Sequence, residues 1–116
     1  MGFKRRYSLK KRKEFAAVHR RGVSRADRRL VVLYLRGGKE VKVGLSVSKK
    51  LGGAVARNRI KRLLRECVRP NLSLLKPGKY VIIARQGAVS APLSQLSGSF
   101  EGLTGKLGLL TPKAEP

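Results

Sequence analysis

Five basic side chains and an amide occupy one short stretch of this chain: Arg57, Asn58, Arg59, Lys61, Arg62 and Arg65. A guanidinium fork matches two phosphate oxygens at once. Successive Arg and Lys side chains on one helix face can follow a folded nucleic-acid backbone without reading its bases. A solvated helix face normally mixes signs, and this one offers only Glu66 in opposition, so the stretch reads as a strip of phosphate contacts. Other chemistries are short of material. One His, six acids and the single Cys67 supply neither a thiolate zinc cage nor the clustered His or carboxylates of zinc and two-metal hydrolases. We therefore expect no catalytic residue and no metal site in the protein itself.

The imbalance runs through the whole composition. Among 116 residues, 28 Lys and Arg face 6 Asp and Glu, a formal net charge of +22, and 23 of those 28 basic residues fall in the first 70 positions. The expected partner is a polyanion that meets this part of the chain. An apolar fraction of 41 % is enough to build a core, and the length bounds the chain to one domain, residues 1–116. Residues 1–7 are expected to form a flexible basic start and residues 110–116 a disordered tail, with Lys10 to Lys13 as a basic arm on the polyanion. The apolar runs Leu30 to Leu35 and Val81 to Ala84 are far too short to span a bilayer. No apolar segment follows Lys4, Arg5 and Arg6 as a signal peptide would require. The expectation is a cytoplasmic protein without a membrane partner.

The elements that must position these side chains follow from periodicity. Ser8 is placed to cap a helix running to Arg21, with Phe15, Val18 and His19 on its inner face and Gly22 stopping it in the left-handed conformation. Leu30 to Leu35 reads as a strand covered on both faces, and Gly37-Gly38 as a hairpin turn after it. Val41, Val43, Leu45 and Val47 alternate with Lys42, Gly44, Ser46 and Ser48, giving a strand with one apolar face and one small polar face open to solvent or ligand. Ala54 to Arg69 is a basic amphipathic helix with Ala56, Ile60, Leu63, Leu64 and Cys67 inward, ended by Pro70. Tyr80 to Ala84 is a further strand after the turn signal Pro77-Gly78. Leu93, Leu96, Phe100, Leu103 and Leu107 predict a terminal helix starting near Pro92, weakened by its glycines and frayed towards Pro112. Phe15, His19 and Tyr34 offer rings on which bases of a single strand could stack, with core packing as the alternative role for Phe15.

Two stretches, Val43-Gly44-Leu45-Ser46-Val47-Ser48-Lys49-Lys50 and Ala56-Arg57-Asn58-Arg59-Ile60-Lys61-Arg62-Leu63-Leu64-Arg65-Glu66, closely resemble the protein subunit of bacterial ribonuclease P. The second carries that family's Arg-Asn-Arg signature, and the likeness extends from about Tyr7 to Arg85. The resemblance implies an α/β (α+β) two-layer sandwich, similar to a domain of a small-subunit ribosomal protein. Its order is α-β-β-β-α-β-α with a left-handed βαβ crossover, and its first strand falls near Val23 to Arg28.

It further implies that an RNA subunit performs the magnesium-dependent removal of the 5′ leader from precursor tRNA, holding most of the Mg2+ itself, while a protein monomer assists. Arg57, Asn58, Arg59, Lys61, Arg62 and Arg65 would face the catalytic RNA. Phe15, Ser46, Ser48, Lys49 and Lys50 would line a cleft for the leader, with His19 where the family commonly has a second aromatic. Leu33, and not Tyr34, matches the family's strand residue in that cleft. A small ribosomal protein or RNA chaperone without a processing role is the alternative; it shares charge and fold but does not call for the Arg-Asn-Arg helix beside a leader-sized cleft.

Overall fold

A computed structural model describes residues 7–111 of the chain. Three helices and four strands follow one another as α1 (Arg12–Arg21), β1 (Val23–Ala26), β2 (Leu30–Leu35), β3 (Val41–Ser46), α2 (Ala54–Val68), β4 (Gly78–Ala84) and α3 (Leu93–Lys106). This is the expected α+β order, built on one mixed sheet. The sheet runs β1-β2-β4-β3, with β4 antiparallel to β2 and parallel to β3. Gly37-Gly38 is therefore not a hairpin turn, because β4 enters between β2 and β3 and the two glycines lie in the link that passes its end. The hairpin joins β1 to β2 instead. There the Asp27 carboxylate accepts from the N–H groups of Arg29 and Leu30 at 2.8 and 2.9 Å.

Alternation decides which residues meet which helix. Leu30, Val32, Val41, Val43, Tyr80, Ile82 and Ala84 pack in one cluster with Ile60, Leu63, Leu64, Cys67 and Val68 of α2 and Leu96, Phe100 and Leu103 of α3. On the opposite face Leu33 and Val81 are buried with Val18 of α1 and with Leu9. Cys67 is buried, and that burial pushes its thiol above the ordinary range, consistent with a small core residue. Tyr34 points to the α2–α3 side: its ring lies 4.9 Å from that of Tyr80, and its hydroxyl donates to the Pro77 carbonyl. It therefore lies on the opposite face of the sheet from Phe15.

Three local expectations are corrected. Ser8 does not cap α1, which starts at Arg12 without a side-chain cap. Ser8 forms a parallel bridge with Val43, and the Leu9 N–H donates to the Val43 carbonyl at 2.9 Å. Gly22 is extended, with φ −79° and ψ 167°, and is needed for space: a Cβ there would stand 2.4 Å from the Val18 carbonyl oxygen. The terminal helix spans Leu93–Lys106, with Leu107 of the predicted apolar stripe standing just past its end as the C-cap, and it is anchored by the buried Leu96, Phe100 and Leu103. Beyond it Leu110 bridges Leu75, and the Thr111 N–H donates to the Leu74 carbonyl at 2.7 Å, so the expected tail begins pinned. Residues 1–6 and 112–116, where the flexible start and the rest of that tail were expected, lie outside the described residues.

Electrostatics oppose this fold more than they support it. Six acids cannot offset 28 basic residues; Glu14 is one that is used, paired with Lys79 at 3.3 Å. Sulfate or phosphate that binds the native surface but not the unfolded chain should raise stability by about 2.7 kcal/mol at one hundred times its Kd. Thermal melting at fixed ionic strength should show sulfate acting at lower concentration than chloride, and equal melting in both would contradict site binding. A second expectation concerns Asp27. Burial acts to raise its carboxyl, but the Leu30 N–H, the Ser99 hydroxyl, the Arg29 N–H and the Arg29 charge together hold it below the ordinary 3.8. A lowered folded-state value gives stability that is present above the unfolded value and is lost as pH falls through the folded one. Asp27→Asn should flatten the loss of melting temperature below about pH 4, while an unchanged acid limb would contradict it.

Candidate nucleic-acid interface

In-register pairing orders the α1 face of the sheet into rows: Leu35, Lys79 and Lys42; then Leu33, Val81 and Gly44; then Val31, Ile83 and Ser46. Helix α1 holds the first two rows, through the Glu14–Lys79 pair and through Val18 and Phe15. The Phe15 ring lies directly against the backbone of Gly44, where a Cβ would be 2.3 Å from Cζ. A glycine in the small polar face of β3 is thus the seat of an aromatic ring. The third row remains half-buried, a strip of apolar and hydroxyl-bearing sheet surface beside that ring.

Phe15 also forms one wall of a cleft of about 210 Å³ that opens over the edge of β3. Its other walls are Ser8, Leu9 and Lys10 on one side, Val43 and Leu45 on the floor, and Lys61 and Arg65 of α2 opposite. The basic helix is divided by its own geometry. Arg57, Lys61 and Arg65, spaced i, i+4 and i+8, are half-buried along the flank nearest the β3 edge, whereas Asn58, Arg59 and Arg62 are exposed. Arg57 is further tied down, its Nε donating to the Gly52 carbonyl at 3.2 Å.

The sequence placed all six residues on one surface and the leader cleft on another. The structure instead carries Lys61 and Arg65 round to the wall facing Phe15, so the two surfaces are continuous. Ser8, Leu9 and Lys10 were missed as cleft residues, because the bridge to Val43 that brings them there is long-range and leaves no periodic signal.

The remaining sequence-derived residues are distributed less tightly. Ser46 stands in the third row beside the ring. Ser48 is exposed and caps the tight turn Lys49–Leu51, its Oγ accepting from the Lys50 N–H at 3.2 Å. Lys49 and Lys50 project from that turn as exposed cations. His19 departs from its expected place: Val18 fills the inner face of α1 and His19 is exposed, outside the residues that line the cleft. Among the described residues no three His, Cys, Asp or Glu side chains gather where a metal ion could be held. What the arrangement offers is charge, one ring edge and sheet surface, a binding chemistry for an extended anionic polymer.

Comparison with known proteins gives a consistent set of similarities. The Ribonuclease P family model matches residues 3–108. The chain is 44 % identical over 108 residues to the ribonuclease P protein component of Bacillus velezensis, covering 91 % of this chain and 93 % of that one. It is 48 % identical over 102 residues to that of Exiguobacterium, covering 84 % and 87 %. The RNase P protein structure from Staphylococcus aureus superposes with a TM-score of 0.84 at 34 % identity, over 90 % of this chain and 98 % of that one. That from Thermotoga maritima gives 0.74 at 26 % identity, over 82 % and 92 %.

The contact between Phe15 and Gly44 is directly testable. Gly44→Ala should destabilise the fold by about 1–3 kcal/mol through overpacking, and should do so much less in a Phe15→Ala background. Additive effects in the double-mutant cycle would show that ring and glycine do not meet.

Proposed function

The chain belongs to the ribonuclease P protein family, and on that premise we propose that it is the protein subunit of a cytoplasmic ribonucleoprotein that removes the 5′ leader of precursor tRNA. The chemistry is the RNA subunit's, together with the Mg2+ that it holds, and the protein supplies electrostatics and position. Asn58, Arg59 and Arg62, exposed on the outer side of α2, contact the RNA subunit. The cleft beside Phe15, with the strip that includes Ser46, receives the extended leader.

One observation carries this reading: the Phe15 ring is held against Gly44 at the mouth of a cleft whose opposite wall is the Arg-Asn-Arg helix. A leader phosphate seated there would meet Lys61 or Arg65, and the base attached to it would meet the ring. Lys49 and Lys50, exposed after β3, extend the positive field along the path that the strand would follow out of the cleft. With so many phosphates neutralised, RNA subunit and leader approach each other at lower magnesium than either tolerates alone. A ribosomal protein or chaperone needs the charge but has no use for a ring seated on a strand glycine in such a cleft.

The protein alone should not cleave precursor tRNA, and added to the cognate RNA it should restore cleavage at low magnesium. Cleavage at the mature 5′ end by nuclease-treated protein, or failure to stimulate the RNA, would refute the proposal. Within the complex, Phe15→Ala and Lys50→Ala should weaken leader-bearing substrate and leave mature tRNA unaffected, the lost stacking costing about 1–3 kcal/mol. Arg62→Ala should weaken assembly with the RNA subunit. Equal weakening of both substrates by Phe15→Ala would assign that ring to the core.

A further inference from the structure

The sheet has two edges, and the cleft described above lies over one of them. Strand β3 forms that edge, where Ser8 and Leu9 join it. Strand β1 forms the other, three strand spacings or about 14 Å away across the order β1-β2-β4-β3. All four residues of β1, Val23, Ser24, Arg25 and Ala26, are exposed. The hairpin fixes which way their backbone groups point. The Asp27 N–H donates to the Leu30 carbonyl at 3.0 Å, so Asp27 and Leu30 are a hydrogen-bonded pair, and alternation along the antiparallel ladder makes Arg25 with Val32 and Val23 with Tyr34 the next such pairs. The N–H and C=O groups of Ser24 and Ala26 therefore point away from β2. Among the described residues nothing else in the chain bonds them.

Pairing also gives each side of this edge its own chemistry. Val23 and Arg25, opposite Tyr34 and Val32, stand on the α2–α3 side, and Ser24 and Ala26 on the α1 side. On the first side a groove of about 370 Å³ lies between the hairpin turn and α3. Arg29 and Lys106 line it, and Asp27 is the one acid among its lining residues, with its carboxylate engaged by the N–H groups of Arg29 and Leu30. Gly98 and Gly102 lie in its α3 wall, where a Cβ would meet nothing within 4 Å, which leaves room for the side chains of a partner. Arg25 on the strand and Arg28 in the turn add exposed cations.

What the edge presents separates three occupants. A phosphate backbone offers acceptors, and the carbonyls that alternate with N–H groups along β1 would repel it. A second copy of the chain would pair β1 with β1. In the register that uses the outward groups of Ser24 and Ala26 on both copies, Arg25 stands directly opposite its own counterpart, a like-charge pair that destabilises a ladder. Arg25 thus guards the edge against self-pairing. A peptide strand supplies donors and acceptors together, and carboxylates along it would meet Arg25, Arg29 and Lys106. We infer that the β1 edge is a docking site for an extended acidic segment of another protein, which joins the sheet as an added strand. Backbone hydrogen bonds supply the affinity, and the cations on the α3 side select for acidic side chains. The inference goes beyond the RNA-binding reading and does not depend on it.

The probe is a blocked heptapeptide of alternating Thr and Glu, added to the full-length protein at fixed ionic strength. Its backbone N-methylated counterpart keeps every charge and loses the N–H donors. Residue-resolved amide hydrogen exchange should show the Ser24 and Ala26 N–H groups exchanging freely in the protein alone and slowed by the peptide. The N-methylated peptide should bind about tenfold more weakly. Ala26→Pro removes an outward N–H while leaving the ladder to β2 intact, the setting in which an edge strand accepts proline, and should weaken the peptide in the same way, with circular dichroism verifying its fold. Arg25→Glu should weaken it more than Arg12→Glu, a reversed charge exposed on α1. The exchange and N-methyl comparisons use the wild-type chain, so they decide the matter even where the proline variant does not fold. Equal binding of the two peptides, or unchanged exchange at Ser24 and Ala26, overturns the inference. Slowing of those amides by a short single-stranded RNA and not by the peptide would give the edge to RNA, and slowing that grows with protein concentration alone would give it to a second copy; either result overturns the inference as well.

Discussion

With 28 Lys and Arg against 6 Asp and Glu, a net charge of +22, this chain has too few acids to neutralise its own cations, and the fold has to hold most of them apart. Like charges on a small domain repel, and a stability margin of some 5–15 kcal/mol leaves little room for that repulsion. Most side chains on the two faces of the central strands β2 and β4 are aliphatic or aromatic, and with Asn71, Ser99 and Thr104 buried, no buried side-chain polar atom lacks a partner among the described residues. Charge is pushed to the outer side of α2, the turn after β3, the outside of α1 and the Gly37-Gly38 end. Those are the places where an anionic polymer can reach it. The electrostatic cost in the free protein would then contribute to the driving force of the proposed RNA binding.

What converts a basic surface into a shaped one is the Gly44 backbone. Removing the side chain from one position of β3 lets the tip of the Phe15 ring reach the sheet backbone, and the ring then forms one wall of the cleft over the β3 edge. The bridge from Ser8 to Val43 closes that edge on one side, and α2 supplies Lys61 and Arg65 on the other. The i, i+4, i+8 spacing of Arg57, Lys61 and Arg65 therefore places one flank of the helix towards the cleft while Asn58, Arg59 and Arg62 look outward. One helix serves two surfaces.

Much of this was legible in the residues, and the exceptions share a cause. Helix α2, strand β2 and the terminal helix have strong apolar periodicity, so their existence and their inward faces are written locally. The pairing order was not. Gly37-Gly38 has the composition of a hairpin turn, while the real hairpin turns on Asp27, whose carboxylate does locally what Asn-Gly does elsewhere. Strand β1 is exposed along its whole length and gives no alternation to read; it was placed from the family resemblance alone. Position 19 is adjacent to the buried Val18 and one turn from Phe15, so spacing admits it to the inner face, but it falls at the margin, where a polar imidazole remains in solvent. Ser8 to Lys10 joined the site through a contact with Val43, and no pattern within nine residues of the N-terminus announces a partner so far along the chain.

The proposed function requires the ring at position 15 to face the leader of the substrate. A photoreactive phenylalanine analogue at Phe15, in protein assembled with the RNase P RNA and a labelled precursor tRNA, measures that proximity directly. Crosslinks should map to leader nucleotides 5′ of the cleavage site and disappear when mature tRNA replaces the precursor. Crosslinks confined to the RNase P RNA, or an equal yield with mature tRNA, would contradict the claim.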